Sequence, residues 1–244
     1  MAADERAPEG VTRVRADNPS PLTLDGTNTY VVGAWVVDPG PADERHVEAV
    51  VRAAGEVVEG IALTHGHGDH ADGVEPLRRL VGDPPVWRPR GGERRGPFEA
   101  IATPGHSPDS VCLVAARVCF TGDTVLGTGS VFIAPGEGSL GAYLASLERL
   151  RALELDVICP GHGPFVWDPP AKLDEYIAHR LDRERRLVAA LEAGARSEDE
   201  MLDAAWDDVP DALRFAAAIT MRAHLEKLAE EGRLPDGLDA AAGT

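Results

Sequence analysis

Four potential metal ligands lie within six residues of this chain, in the segment Thr64-His65-Gly66-His67-Gly68-Asp69-His70. An apolar run, Ile61-Ala62-Leu63, precedes the segment and is typical of a short buried strand. Side chains two residues apart on an extended backbone point to the same side, so His65 and His67 would present both imidazoles to one ion. The aspartate and the last histidine follow where the chain turns towards a helix. Imidazole nitrogens mixed with carboxylate oxygens favour zinc, and iron or manganese stay open.

Three further side chains of the same chemistry follow glycine-containing turns. His106 and His162 each come directly after a Pro-Gly pair, and Asp123 comes after Gly122 at the end of an apolar run. Loops at the ends of strands are where a rigid sheet positions functional groups. Chance co-occurrence is a poor explanation for seven such residues in these positions, and we predict a metal site.

The elements that would position these residues alternate between strands and helices. Strands are predicted at 28–38, paired about a turn near Gly33, and at 61–64, 111–121 and 156–159. Helices are predicted at 42–54, at 71–81 and after Ser139, which can cap the third. Residues 84–103 are rich in Pro, Arg and Gly and are predicted to be irregular, with at most a short strand. This order is typical of an α/β fold.

The composition changes near residue 172, and from there the pattern is helical without strand signal. One amphipathic helix is marked by Leu173, Ile177, Leu181, Val188 and Leu191. Ser197-x-x-Glu200 is a capping box that opens a second helix, and a third runs from about Leu213 to Leu228. We therefore predict a catalytic core at 1–171 and a helical subdomain at 172–244, with a frayed tail after Pro235. His46 and His224 lie on predicted helices outside any motif, and we predict both on the surface.

Composition limits the class of protein. The 244 residues carry a formal net charge of −17, which disfavours non-specific nucleic-acid binding. The first ten residues contain no apolar segment, and no apolar run approaches the ~20 residues of a membrane span, so we expect no membrane partner and a cytoplasmic location. The three cysteines, Cys112, Cys119 and Cys159, lie in apolar runs and are expected to be buried core residues rather than disulfide partners.

One basic segment opposes the acidic trend. It contains six arginines within 18 residues: Arg78, Arg79, Arg88, Arg90, Arg94 and Arg95. A solvated loop in an Arg-rich chain explains them most simply. The functional alternative is a patch that steers anions to the mouth of a site.

In their order, the motifs resemble the metallo-β-lactamase superfamily, whose pattern is His-x-His-x-Asp-His, then a histidine, an aspartate and a histidine. The resemblance implies an αββα four-layer sandwich and two metal ions, which we expect to be Zn²⁺. It implies that His65, His67 and His106 hold the first ion, that Asp69, His70 and His162 hold the second, and that Asp123 bridges them. Asp38, in an Asp-Pro-Gly turn, is similar to the family's aspartate that steadies the ligand loop.

A narrower resemblance covers most of the chain. Residues 18–30 (NPSPLTLDGTNTY), 176–180 (YIAHR) and 225–228 (LEKL) are similar to the β-lactamase-like protein 2 group, which is glyoxalase II-like and has a winged-helix-like C-terminal part. That group includes a single-strand endoribonuclease and thioesterases that release products from acyl carrier proteins. The match of His179 to the group's His-Arg pair makes it a candidate proton donor to the leaving group. Thr27 and Asn28, just before a strand, are candidates to line the substrate site.

These features favour a dinuclear zinc hydrolase that uses metal-bound hydroxide, with Asp69 orienting it, on an ester or thioester of a small molecule or a carrier. A single-strand endoribonuclease is the alternative, which would make single-stranded RNA a partner and would need the arginine segment as a binding track. A non-catalytic metal or redox protein is disfavoured because no flavin domain or cysteine redox motif is present. A true β-lactamase is disfavoured because, as the family is known, lactamases have cysteine or serine where this chain has Asp123. The substrate and the oligomeric state stay open.

Overall fold

The computed structural model of the protein describes residues 6–55 and 57–235. Within these ranges the strands are β1 Val11–Arg15, β2 Asn28–Val32, β3 Trp35–Val37, β4 Gly60–Ala62, β5 Val86–Trp87, β6 Arg94–Arg95, β7 Phe98–Ala102, β8 Val111–Ala115, β9 Val118–Gly122 and β10 Val157–Pro160. The helices are α1 Glu44–Ala54, α2 Gly68–Ala71, α3 Val74–Leu80, α4 Leu140–Arg151, α5 Pro169–Glu192, α6 Glu198–Ala205 and α7 Arg214–Glu230. All of these helices are too short or too polar to cross a membrane.

The chain divides into two compact units. The first contains residues up to 103 together with 109–131 and 152–172, and the second contains 104–108, 132–151 and the residues from 173 onward. The first unit therefore ends next to the predicted boundary at 171. The second unit also contains 104–108 and 132–151, which lie within the catalytic core predicted at 1–171.

The first sheet has the strand order β1-β2-β3-β4-β5. The predicted hairpin about Gly33 is confirmed as β2 and β3, which pair antiparallel with Tyr30 opposite Val37. β3 and β4 are parallel, with Val37 beside Ala62. Because parallel strands end at the same edge of a sheet, Asp38 and the segment that begins at Thr64 emerge side by side.

The second sheet has the order β10-β9-β8-β7-β6. The predicted hairpin of 111–121 is confirmed as β8 and β9, and β10 pairs parallel to β9 with Pro160 beside Gly122. Asp123 and His162 therefore leave the second sheet at one edge. Both sheets thus bring their strand-end residues together through parallel pairs.

The prediction of irregular structure at 84–103 is wrong, because this stretch contains β5, β6 and β7. β5 has only two residues and is held by parallel pairing to β4, while β6 and β7 form a hairpin that pairs with β8. Trp87 and Phe98 anchor these strands in the core at 6% and 2% exposure. Pairing with β4 and β8 decides the structure here, and the local Pro and Gly content hides it.

Two apolar cores surround the first sheet. One contains residues of both sheets, and in it the rings of Tyr30 and Phe120 meet edge to face at 5.2 Å and those of Phe98 and Phe120 at 5.7 Å. The other lies between the first sheet and helices α1 and α3, where Ile61 and Leu77 are fully buried. Burial of each large side chain stabilises the fold by about 1.5–3 kcal/mol. All three cysteines are buried and free, as predicted.

In the second unit, helices α5 to α7 share an apolar cluster that includes Leu187, Met201, Trp206 and Met221. The predicted capping box is confirmed, since the Ser197 hydroxyl accepts from Glu200 N and the Glu200 carboxylate accepts from Ser197 N. The predicted apolar stripe of α5 is wrong at Leu181, which is 48% exposed. Buried charged side chains occupy that part of the stripe instead: Arg180, Arg183 and Glu184. The predicted tail after Pro235 lies outside the described residues.

The surface placement of the two isolated histidines is wrong. His46 is 4% exposed, and its Nε2 lies 2.9 Å from the Thr29 hydroxyl oxygen. His224 is fully buried against the ring of Trp206, and its Nδ1 lies 3.9 Å from the Glu184 carboxylate, beyond hydrogen-bond reach. Both rings fill the inner face of a helix, where packing outweighs the polar character of an imidazole.

Candidate metal centre

Six of the seven predicted ligands come together within the first unit. His65 Nε2 lies 3.1 Å from His67 Nδ1, and His70 Nε2 lies 3.3 Å from His162 Nε2. Asp69 Oδ2 is 3.3 Å from His162 Nε2 and 3.4 Å from His70 Nε2. The ligand atoms form two groups, one with His65, His67 and Asp123, and one with Asp69, His70 and His162.

Asp123 connects the two groups. Its carboxylate belongs to the first group, and its Oδ1 lies 3.3 Å from His70 Nε2 and 3.2 Å from His162 Nε2, both in the second. A carboxylate has two oxygens and can therefore bind two ions at once. This position is the one that a bridging ligand requires.

The spacing of the donor atoms fits a metal ion. Two ligands about 2.05 Å from a tetrahedral Zn²⁺ are about 3.3 Å apart. The imidazole and carboxylate atoms of the second group are separated by 3.3 to 3.4 Å, and the two nitrogens of the first by 3.1 Å. Imidazole and carboxylate together are also a donor set that zinc, iron and manganese accept.

Close backbone approach is necessary at two glycines of the site. A Cβ atom on Gly161 would lie 2.6 Å from His70 Cε1 and 2.8 Å from Asp123 Oδ1. Gly122 has φ +47°, and a Cβ there would lie 2.2 Å from the Thr64 hydroxyl. The strand ends can meet only because these residues have no side chain.

Asp38 holds the first ligand loop in place. It is 2% exposed, and its carboxylate accepts from Thr64 N at 2.8 Å, from the Thr64 hydroxyl at 2.6 Å and from His70 Nδ1 at 3.0 Å. Since the single Thr64 proton goes to Asp38, the Thr64 oxygen accepts from His65 Nδ1, 3.0 Å away. Both rings therefore carry their proton on Nδ1, which leaves the Nε2 lone pairs of His65 and His70 for a metal.

The segment before β2 supports the His162 loop. The Asn28 amide donates to Pro160 O at 3.0 Å and to Gly163 O at 2.9 Å, and Asn28 N donates to Gly161 O at 2.7 Å. Thr27 and Asn28 both have 0% exposure, so neither presents a surface to a substrate. Their side chains contact ligand loops, and the substrate role that the sequence assigned to them stays a prediction.

His106 belongs to the second unit. It is 5% exposed, and its Nδ1 donates to Phe132 O at 3.3 Å, so the ring proton lies on Nδ1. Tyr143 of α4 packs so closely on Gly105 that a Cβ there would lie 2.4 Å from it. Packing of the loop within its own unit thus fixes the histidine.

The electrostatics of the site favour ionised carboxylates. Burial disfavours the charge on Asp69, but the hydrogen bond with His162 and the charge of His70 outweigh it and lower the pKa of Asp69 to about 2. The pKa of Asp123 is held well below its ordinary value against burial, chiefly by the charges of His70 and His162. Burial lowers the pKa of both histidines, but the charge of Asp123 opposes it. The pKa of His162 is raised to about 9, and that of His70 is raised as well. The site is built for positive charge between its carboxylates.

His179, the predicted proton donor, lies on α5 in the second unit. Its Nε2 accepts from Arg183 Nε at 3.3 Å. Burial, followed by the charges of Arg180 and Arg183, lowers the pKa of His179 to about 4. The ring is therefore neutral near pH 7, which weighs against a role as acid, although that role stays a prediction.

Sequence reasoning missed Thr64 and Asn18. Thr64 precedes the histidines directly, and its hydroxyl joins Asp38 to His65. Asn18 contacts Thr27 through both ends of its carboxamide, and only the tertiary structure reveals that link. A polar residue at the end of the apolar strand was the available signal for Thr64.

The arginine segment is partly neutralised. Arg78 pairs with Glu75 and Asp83, and Arg94 pairs with Glu99. Exposed arginines remain at Arg79, Arg88, Arg90 and Arg95. The patch is therefore less basic than its sequence indicates.

Comparison with known proteins fits this geometry. The family model of the metallo-beta-lactamase superfamily matches residues 22–100 and 88–162, which contain all seven predicted ligands. The chain belongs to the metallo-beta-lactamase superfamily. A model of the beta-lactamase associated winged helix domain matches residues 197–236. The predicted fold class and the prediction of a metal-dependent hydrolase are confirmed for this superfamily member.

Similar proteins extend over most of the chain. The chain is 31% identical to the Beta-lactamase-like protein 2 homolog of Caenorhabditis elegans over 260 residues, covering 93% of this chain and 87% of the relative. It is 34% identical to an atrochrysone carboxyl ACP thioesterase of Aspergillus chevalieri over 215 residues, covering 77% and 67%. A metallo-beta-lactamase family protein of Thermus thermophilus has the same fold, with a TM-score of 0.70, 24% identity and coverage of 91% and 94%.

Proposed function

We propose that this metallo-beta-lactamase superfamily member is a dinuclear zinc hydrolase that acts on a thioester or ester of a small molecule or a carrier. The observation that carries the proposal is Asp123, whose carboxylate lies against two groups of imidazole and carboxylate donors at once. A carboxylate in that position matches a two-ion site. Zinc is the ion that this donor set favours, with iron and manganese as alternatives.

In the proposed assignment, His65, His67 and Asp123 hold the first ion and Asp69, His70, His162 and Asp123 hold the second. The first group needs one more nitrogen, and the order of the family motif assigns His106 to it. Asp38 is not a ligand in this scheme, because it contacts the Nδ1 atom of His70 while Nε2 faces the second group.

The bound ions would lower the pKa of water to ~7 and polarise a substrate carbonyl. The protein's own residues do the positioning. Asp38 and Thr64 fix the tautomers of His65 and His70, and the Asn28 amide fixes the loop that carries His162. Asp69 is ionised and 30% exposed at its side chain, so it can also orient an attacking water by accepting a hydrogen bond from it.

A thioester suits the site better than an oxygen ester. A thiol has a pKa of about 8.5 and leaves as a thiolate, whereas an alcohol needs a proton donor. The candidate donor, His179, is neutral near pH 7 because its pKa is about 4. The relative from Aspergillus chevalieri is itself named as a thioesterase of a carrier protein.

Single-strand endoribonuclease activity is the second candidate. It is favoured by the exposed arginines that follow β5 and lie on β6, such as Arg88, Arg90 and Arg95. Against it stand the net charge of −17 and the ion pairs that neutralise Arg78 and Arg94.

The test is a comparison of three substrates with zinc-loaded protein whose metal content has been measured: an acyl pantetheine thioester, the matched oxygen ester and a labelled single-stranded RNA. We expect fastest turnover of the thioester, and a loss of roughly 100-fold or more in Asp69→Asn. Asp83→Asn, an exposed carboxylate outside the ligand set, is the matched control and should keep full thioester turnover. RNA cleavage without thioester turnover would replace the proposal by the nuclease alternative.

A further inference from the structure

The segment between β1 and β2 contacts Asp69 through a short chain of hydrogen bonds. The Thr27 hydroxyl donates to Asp69 Oδ2 at 3.2 Å, and the Asn18 amide donates to the Thr27 hydroxyl oxygen at 3.0 Å. Asn18 Oδ1 accepts from Thr27 N at 2.9 Å. Thr27 is fully buried, and Asn18 is half-buried.

The direction of each hydrogen bond in this chain is determined. Thr27 N can only donate, so the atom of Asn18 opposite it must be the carbonyl oxygen, and the NH₂ group must face the Thr27 hydroxyl. That hydroxyl then accepts from Asn18 and has its one proton left for Asp69. The carboxamide thus forces the threonine to donate to the carboxylate.

The same segment fixes a second ligand through its backbone. Thr27 forms an isolated β-bridge with His162, and Gly26 O lies 3.4 Å from His162 Nδ1. Gly26 has φ +123°, and a Cβ there would lie 2.0 Å from Ala16 O, so the close approach depends on glycine. The backbone is anchored further by the bond from Ala16 N to Thr27 O at 2.8 Å.

We infer that Asn18 and Thr27 are positioning residues for the second metal ion, acting through Asp69 Oδ2. The inference rests on the ligand set of the proposed function. Oδ2 has two lone pairs, so accepting one hydrogen bond from the hydroxyl leaves it able to bind the ion. The same oxygen lies 3.3 Å from His162 Nε2 and 3.4 Å from His70 Nε2. A carboxylate held in this way loses less freedom when it binds metal, so affinity rises.

The experiment measures Zn²⁺ affinity by competition with a chromophoric chelator, for the full chain and its variants. Thr27→Val keeps the shape and removes the hydroxyl, and it should weaken the second binding step by about 10- to 100-fold. Thr27→Ser keeps the hydroxyl and should stay within about threefold of the parent chain. Thermal melting of the metal-free variants separates this effect from a loss of folding.

Asn18→Asp tests the direction of the hydrogen bonds. The new carboxylate still accepts from Thr27 N, but its other oxygen can only accept, so it draws the hydroxyl proton away from Asp69. It also adds a negative charge, whose effect persists when Thr27 is valine. Asn18→Asp is therefore made twice, once in the parent chain and once in Thr27→Val, and each time its effect is the ratio of Zn²⁺ affinities without and with the change. We expect these two ratios to differ by about fivefold or more.

Two results would overturn the inference: an equal effect of Asn18→Asp on Zn²⁺ affinity in the parent chain and in Thr27→Val, or unchanged Zn²⁺ affinity in Thr27→Val. The proposed function is judged separately. If the parent chain hydrolyses neither thioester nor ester while the affinity pattern holds, the function fails and the inference stands. If the parent chain is active and Thr27→Val binds zinc normally, only the inference fails. Since Asp69 also orients water in the proposal, Thr27→Val at saturating zinc should lower kcat more than it changes KM.

Discussion

Asp38→Asn is the substitution that tests the architecture of the site most directly. Asp38 has φ +47°, a backbone conformation that asparagine also tolerates, so the change preserves size and backbone. The amide oxygen can keep the bond to Thr64 N, which leaves the NH₂ group facing the Thr64 hydroxyl and His70 Nδ1. The Thr64 hydroxyl and His70 Nδ1 both donate to Asp38 Oδ2 in the parent chain, and in Asp38→Asn both would have to accept.

That reversal changes the tautomers of two ligands. An NH₂ group donating to His70 Nδ1 moves the ring proton to Nε2, the atom that faces the second metal group. A Thr64 hydroxyl that no longer donates to residue 38 can donate to His65 Nδ1, which moves that proton to Nε2 as well. Loss of such a partner weakens metal binding by about 10- to 100-fold, or about 1.4–2.8 kcal/mol for each ion.

The measurement is a two-step Zn²⁺ titration against a chromophoric chelator at pH 7.5. Asp38→Asn should weaken both steps, whereas Thr64→Val should weaken mainly the step that uses His65, because Asp38 still holds His70. Asp83→Asn is the control for loss of a carboxylate. Unchanged affinity in Asp38→Asn, or an equal effect of Thr64→Val on both steps, would refute the tautomer argument.

Three other predictions follow from single contacts. Asp123→Ala should bind one fewer equivalent of metal in equilibrium dialysis, because the carboxylate that joins the two groups is gone. Gly122→Ala should lower the free energy of unfolding by at least about 2 kcal/mol in urea titration, because φ is +47° and the new Cβ would lie 2.2 Å from the Thr64 hydroxyl. His224→Phe should change stability by less than about 1.5 kcal/mol at pH 7.5, and its stability relative to the parent chain should rise as the pH falls below 6.5.

The sign of the last prediction comes from burial, which lowers the pKa of His224. Below pH 6.5 the unfolded chain takes up this proton more readily than the folded chain, so the stability of the parent chain falls as the pH falls. Phenylalanine removes that loss and keeps the contact with Trp206. Parallel stability curves would contradict the argument, as would two full metal equivalents in Asp123→Ala or a Gly122→Ala variant of parental stability.

The elements whose signals are local could be predicted in both units. The hairpin of β2 and β3, the hairpin of β8 and β9, and the capping box of α6 each depend on residues a few positions apart. The strands at 84–103 could not be predicted in this way. β5 has only two residues and is held by β4 across two intervening helices, and the Gly and Pro residues around β6 and β7 conceal their short hairpin.

The sequence by itself determined the ligand chemistry: the order and spacing of His65, His67, Asp69 and His70 identify a metal site, and a turn motif marks each further ligand. Only the tertiary structure decided how the ligands are held. Asp38 meets Thr64, and Asn18 meets Thr27, across hydrogen bonds that join separate strands and loops. A motif records which atoms can bind a metal, whereas the direction of a hydroxyl proton or the tautomer of a ring depends on neighbours that folding brings within about 3 Å.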